Sequence, residues 1–230
     1  MSCTARITTA ELKDIFGEEV RAVGGTVTGV FDHKGLVLAR STLPWVREVR
    51  PKDHVQGGVA MRASTYEIWV HPYLFRQVCE NDAIVCWTTR SSRIRELYSL
   101  SCEKAAGALR DAVHACCDED SFSAQAEVLR TGAEIAADLV MNMSEMYRAI
   151  TEEFGPGVAE RISEQFLSVR DRSLFGLGNA ITAAARSEAD PERRWRMEEF
   201  GGGILMGNHS GQRPVSPRIA ARVVARSRHR

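Results

Sequence analysis

The sequence predicts an α+β fold: a small N-terminal antiparallel β unit with short helices, then a largely helical C-terminal half and a disordered basic tail. Three observations carry that prediction. Turn clusters and alternating or β-branched runs are confined to the first ninety residues. After Arg90 the chain becomes rich in Ala, Leu, Glu and Arg, residues of high helix propensity. Residues 204–230 hold six arginines, no acid and few large apolar groups, too little apolar surface to fold alone. The expected organisation is an α+β unit at 1–90, a helical region at 91–203 packing on it as one compact domain, and a flexible basic tail at 204–230.

Each element has its own signal. Residues 9–16 read as a short helix that Thr8 or Thr9 can cap and Gly17 stops. Thr26–Phe31 and Leu36–Ala39 flank Asp32-His33-Lys34-Gly35, a turn cluster between β-type runs and so a hairpin. Residues 41–57 read as irregular, because Pro44 and Pro51 bar a central strand; Trp45 there is a core anchor or an exposed stacking surface. Strands are expected at Val59–Ala63, at Tyr66–His71 and at Ala83–Thr88, with a helical turn from Pro72 to Cys79. Helices follow at 93–117 and 121–154. Along the latter, Leu129, Ala133, Ala136, Val140, Met143, Tyr147, Ile150 and Phe154 form a heptad seam, suited to intrachain packing or to a homo-oligomer. Gly155-Pro156-Gly157 breaks it, and helices are expected from there, at 173–187, and from Pro191 to the glycines 201–203.

Composition limits the classes of function. With 230 residues, 44% apolar and 26% charged, the chain is neither collagen-like nor wholly disordered. It has no apolar run of about 18 residues, so no membrane span is expected. No secretory signal precedes the first element, and the six cysteines read as reduced thiols of a cytoplasmic protein. The 30 basic and 30 acidic side chains are unevenly placed: residues 101–160 carry 4 and 12, residues 201–230 carry 6 and none. The acidic middle repels a phosphate backbone, whereas tail residues Arg213, Arg218, Arg222 and Arg226 attract one. Only four basic residues are lysine. Arginine suits bidentate phosphate contacts and stacking, although a GC-rich coding composition gives the same excess.

No catalytic signature is present: no Cys-x-x-Cys pair, no Gly-x-Ser-x-Gly, no His-Glu-x-x-His and no phosphate-binding Gly-Lys-Ser/Thr loop. No cofactor or metal is expected. The densest chemistry lies in residues 57–90, where Arg62, Trp69, Tyr73, Arg76 and Arg90 mix cations with aromatics. Such a mix binds a single strand of DNA or RNA by backbone attraction and base stacking; the same residues equally suit a helix packed on a sheet, with Arg76 paired to Glu80.

Within that stretch, Gly57-Gly58, His71-Pro72-Tyr73, Phe75-Arg76, Val78-Cys79 and Asn81 resemble the Arg-x-Val-Cys-x-Asn-Gly core of a phage/plasmid-like prokaryotic family of unknown function. Ser173 to Thr182, containing Asn179-Ala180-Ile181-Thr182, resembles that family's C-terminal helix, and the two motifs fall in the family's order. Asp82 stands where the family has Gly, which alters the turn available after Asn81. The resemblance implies a phage, plasmid or bacterial setting and no agreed activity.

Three functions follow as expectations. The first is a non-enzymatic nucleic-acid-binding protein, using Arg62, Trp69, Tyr73, Arg76 and Arg90 with the arginine tail. The second is an enzyme with a site at His71, Cys79, Asn81 and Asp82, which can supply base, nucleophile and orienter if the fold unites them. The third is an assembly protein pairing subunits through 121–154, marked by an exposed apolar face along Val140, Met143 and Tyr147.

Overall fold

The computed structural model describes residues 6–78, 81–86, 90–140 and 142–206. In chain order the elements are α1 (Thr9–Ala22), β1 (Thr26–His33), β2 (Leu36–Thr42), β3 (Val46–Arg50), β4 (Asp53–Ala63), β5 (Glu67–Arg76), β6 (Asn81–Ile84) and β7 (Ser92–Arg95). A 3-10 turn at Leu97–Ser99 leads to α2 (Cys102–Cys116), α3 (Glu119–Glu134), α4 (Ala137–Val140), α5 (Met143–Phe154), α6 (Pro156–Ser168), α7 (Leu174–Arg186) and α8 (Pro191–Leu205). The α+β class holds, with the β content first and a mostly helical second half. Among the described residues no helix is long and apolar enough to cross a membrane. The chain forms two compact units that interleave in sequence: one from residues 1–46, 56–75 and 88–122, the other from 47–55, 76–87 and 123–230.

The first unit is an antiparallel sheet backed by two helices. Its α1 starts with a reciprocal cap: the Thr8 hydroxyl accepts from Glu11 N–H at 3.2 Å, and the Glu11 carboxylate accepts from Thr8 N–H at 2.7 Å. The helix runs through Gly17, where a stop was expected, because Leu12, Ile15, Phe16 and Val20 form one continuous buried face. The hairpin of β1 and β2 closes through Lys34 and Gly35, both at positive φ (49° and 81°), as a two-residue turn of matching twist requires. Leu38 pairs with Arg62 and Ala39 with Met61 across β2 and β4, and Trp69 pairs with Arg93 across β5 and β7. One face, with Val37, Ala39, Met61, Ile68 and Val70, packs against Leu12 and Phe16 of α1 and Leu109 and Val113 of α2. The opposite face carries Arg40, Arg62, Glu67, Trp69, Arg93 and Arg95, as strand alternation demands. Trp45 is half-buried against this core and stacks on Phe122 with centroids 6.3 Å apart.

Three expectations in this region are corrected. Residues 41–57 are not irregular: Pro44 and Pro51 fall just outside β3 and leave it and β4 intact. Pro72 does not open a helix; β5 continues through it to Arg76. The ladder to β7 ends at Val70 and Ser92, so the missing N–H of Pro72 costs no bond there. The helix expected from 93 begins at Cys102, capped by the Ser101 hydroxyl, because Ser92-Arg93-Ile94-Arg95 alternates and pairs as a strand.

The second unit is built around α7, whose faces are almost wholly buried. Apolar residues of α5, α6, α7 and α8, including Ile150, Phe154, Ile162, Leu177, Ile181, Met197 and Phe200, form its core. The Ser173 hydroxyl caps α7 through Gly176 N–H at 3.0 Å. Helix α8 passes through Gly201-Gly202-Gly203 instead of ending there, because a side chain at Gly202 would lie 2.1 Å from the carbonyl oxygen of Ile84 in β6. The single 121–154 helix is also corrected: α3, α4 and α5 replace it. Ala136 bridges to Ser173, and the Asn142 side chain starts α5 by accepting from Ser144 and Glu145 N–H. The heptad seam is thereby divided, with Leu129 buried and Tyr147 exposed.

Candidate functional site

On the sheet face opposite α1 and α2, the exposed Arg93 lies against the half-buried Trp69. Its guanidinium sits 4.2 Å above the indole centroid, and its Nε and Nη2 donate to Glu67 Oε2 at 2.8 and 2.5 Å. Burial pushes the Glu67 carboxyl up, but hydrogen bonds from Trp69 and Arg93, with the charges of Arg93 and Arg62, hold it below its ordinary value. The indole also stacks on His71, centroids 5.7 Å apart. Arg95 stands opposite Glu67. Arg40 and Arg62 share this face of the sheet, and Arg62 is close enough to lower the Glu67 carboxyl. Tyr66, in the turn before β5, is 69% exposed.

The other expected residues of this unit are not on that surface. Tyr73 is only 2% exposed, so its ring is core. Arg90 donates to Asp118 at 2.5 Å and to Ser121 at 3.1 Å. His71 is buried, and desolvation lowers its imidazole pKa to about 4, so it is neutral at physiological pH.

Arg76, Asn81 and Asp82 belong to the second unit. Arg76 makes a two-pronged pair with Asp53, at 2.7 and 2.5 Å. Its guanidinium and that of Arg50 cover the Phe175 ring, at 5.1 and 5.2 Å from the centroid. Arg50 also pairs with Asp171 and donates to Ser173 Oγ at 2.9 Å. Burial raises the Asp171 carboxyl, but hydrogen bonds from Arg50 and Ser173 overcome that and leave it lowered. Asn81 donates its side-chain amide to the carbonyl of Asn179 at 3.3 Å, so the two sequence motifs meet in space. Asp82, one residue on, binds Arg194, which also holds Glu198. That carboxylate is engaged as a structural ion pair and is poorly placed to serve as a base.

Cys79 and the tail arginines Arg213, Arg218, Arg222 and Arg226 lie outside the described residues. Burial pushes the thiols of Cys86 and Cys116 well up, and that of Cys117 up to about 11, which disfavours the thiolate a nucleophile needs.

Sequence reasoning missed Arg93, Arg95 and Tyr66. The signal was the period of two in Ser92-Arg93-Ile94-Arg95, absorbed into an expected helix; reading it as a strand puts both arginines on the Trp69 face. Arg50, Asp171 and Phe175 were missed because no local pattern links positions more than 120 residues apart. No family model, no curated protein and no solved structure matches the chain.

Proposed function

We propose that this protein is a non-enzymatic binder of single-stranded nucleic acid, and that the exposed edge of the first unit's sheet around Arg93 and Arg95 is the binding surface. The observation that carries the reading is the Arg93–Trp69 stack, with Arg95 opposite Glu67 and Arg62 close enough to lower the Glu67 carboxyl. A guanidinium held over an indole is an ordered platform for a base, and neighbouring arginines attract the backbone. The exposed Tyr66 ring offers a second stacking surface. The arginine tail supplies further attraction without sequence preference. The resemblance to a phage/plasmid-like family supports the same reading by association.

Fluorescence anisotropy with a labelled single-stranded oligonucleotide over a salt series tests it. The full chain is expected to bind at low salt and weaken steeply as salt rises. Arg93→Ala/Arg95→Ala is expected to flatten the slope of log affinity against log salt by about 0.7 for each phosphate that is no longer neutralised. Serine at Arg213, Arg218, Arg222 and Arg226 reports the tail's share. Absence of binding by the unaltered chain at low salt ends the proposal.

A second reading has an observation of its own. In the second unit, Tyr147 and Leu167 are exposed at a groove of about 650 Å³ also lined by Met143, Ile150 and Phe166. Such a surface suits self-association with a second copy of the chain.

A further inference from the structure

The groove of α5 and α6 is apolar, and the helices around it are acidic. Tyr147 and Leu167 line it and are exposed, while Ile150, Ile162, Phe166 and Leu177 line it and are buried. Asp138 also lines it and is exposed. Along α6, Glu160, Glu164 and Leu167 recur at steps of four and three and are all exposed, so both carboxylates share the face of Leu167. Among the described residues none of these three acids is in an ion pair. Arg172 lines the groove too, but it donates to the carbonyls of Phe166, Leu167 and Val169, where its charge offsets the C-terminal end of α6. Residues 123–168 carry eight acids against three arginines, so two such faces brought together repel and a cationic, apolar occupant is favoured.

The chain's own end has that character. Residues 207–230 lie outside the described residues, and their sequence holds six arginines and no acid. Ser216-Pro217 is a helix-starting pair, a capping hydroxyl followed by proline at the first position. On a helix from Pro217 to Arg226, Arg218, Arg222 and Arg226 form one row; Ile219 and Val223 form the next, widened by Ala220 and Val224. Such a stretch has too little apolar surface to fold alone and orders only against a complementary face. Its apolar row has neither leucine nor an aromatic ring, which suits it poorly to a lipid surface.

Length and position fit as well. Helices α5 and α6 have 12 and 13 residues, about 18–20 Å, and the segment as a helix is about 15 Å long. At the end of α8, Leu205 packs over Gly178, next in sequence to the groove residue Leu177. The stretch from Gly207 to Ser216 reaches up to about 33–36 Å when extended, against a radius of gyration of about 13 Å for a unit of this size.

We propose that the groove receives the chain's own segment 217–226 as a helix. Ile219, Val223 and Val224 enter the groove, and Arg218, Arg222 and Arg226 face Asp138, Glu160 and Glu164. In the monomer the segment docks on its own chain, and two copies that exchange segments form a dimer. The docking shares its groove with the self-association reading and stands without it.

Limited trypsin digestion of the full chain tests it, with cleavage after Arg218, Arg222 and Arg226 followed by mass spectrometry. Docking hides those bonds, so initial rates follow the undocked fraction; each rate is normalised to the free 207–230 peptide of the same sequence. Leu167→Glu, at an exposed position, and Ile219→Ser/Val223→Ser, in the segment itself, are each expected to speed cleavage at least about ten-fold. Leu167→Glu adds a carboxylate, which charge alone would turn into tighter docking, so its acceleration isolates the apolar contact. Equal rates in the unaltered chain and both variants would overturn the proposal. So would a dimer, seen by sedimentation, that Leu167→Glu dissolves and Ile219→Ser/Val223→Ser leaves intact, since the folded surface of a second copy would then fill the groove. A protected segment in a chain that stays monomeric upholds the docking and removes only the exchange.

Discussion

Burial holds the His71 imidazole neutral down to about pH 4, whereas in the unfolded chain it takes a proton near pH 6.5. Between those values the unfolded state binds the proton that the folded state refuses. Stability from this residue is thus complete above pH 6.5 and falls as pH drops toward 4, by about 3 kcal/mol across the window. Urea unfolding at pH 7 and pH 4.5 is expected to show a smaller acid loss in His71→Asn than in the unaltered chain; equal losses would mean that His71 does not drive it. His71 also shows how much of the candidate site was legible. Alternation along Glu67, Trp69 and His71 puts those three on one side of the strand, whereas Tyr73 was expected in a helical turn and instead lies in β5. It cannot tell which part of that side stays open, and Trp69 is half-buried while Tyr73 is core. The positions of Arg62 and Trp69 were readable; the burial of Tyr73 and the ion pairs of Arg76 and Arg90 depend on residues distant in sequence.

At the level of elements, glycines separate steric fit from propensity. An added methyl at Gly202 would collide with the Ile84 carbonyl, backbone that cannot give way. Gly202→Ala is expected to cost about 3 kcal/mol. Gly107, inside α2, has nothing within 4 Å of the same position, so Gly107→Ala is expected to stabilise by about 0.5–1 kcal/mol. Chemical denaturation of the pair measures both signs against one reference. Element identity was most readable where a local device enforces it: the Lys34-Gly35 turn, the Ser173 cap and proline at the start of α6 and α8. It failed where proline was read as a barrier, since a strand can spare one donor beyond the end of a ladder. It failed again in 121–154, where steps of three and four persist although Asn142 caps a new helix.

For the molecule as a whole, two surfaces offer association, one through charge and one through apolar contact. The exposed Tyr147 and Leu167 at the groove make the second measurable. Sedimentation equilibrium is expected to show a concentration-dependent dimer that Leu167→Glu, which charges the groove rim, converts to monomer; a monomer at every concentration of the unaltered chain removes that reading. The α+β class was legible because strand-type and helix-type patterns occupy different halves of the sequence. The interleaving of the two units was not, since periodicity says nothing about which distant segments associate. That interleaving has a consequence for how the chain is made and how it can be cut. Arg50 leaves the ribosome 121 residues before Asp171, its partner, so the ion pair that anchors β3 in the second unit cannot form until most of the protein has been synthesised. No single cleavage can release either unit intact: severing the chain after residue 122 strands 47–55 and 76–87 on the fragment that lacks the rest of their unit.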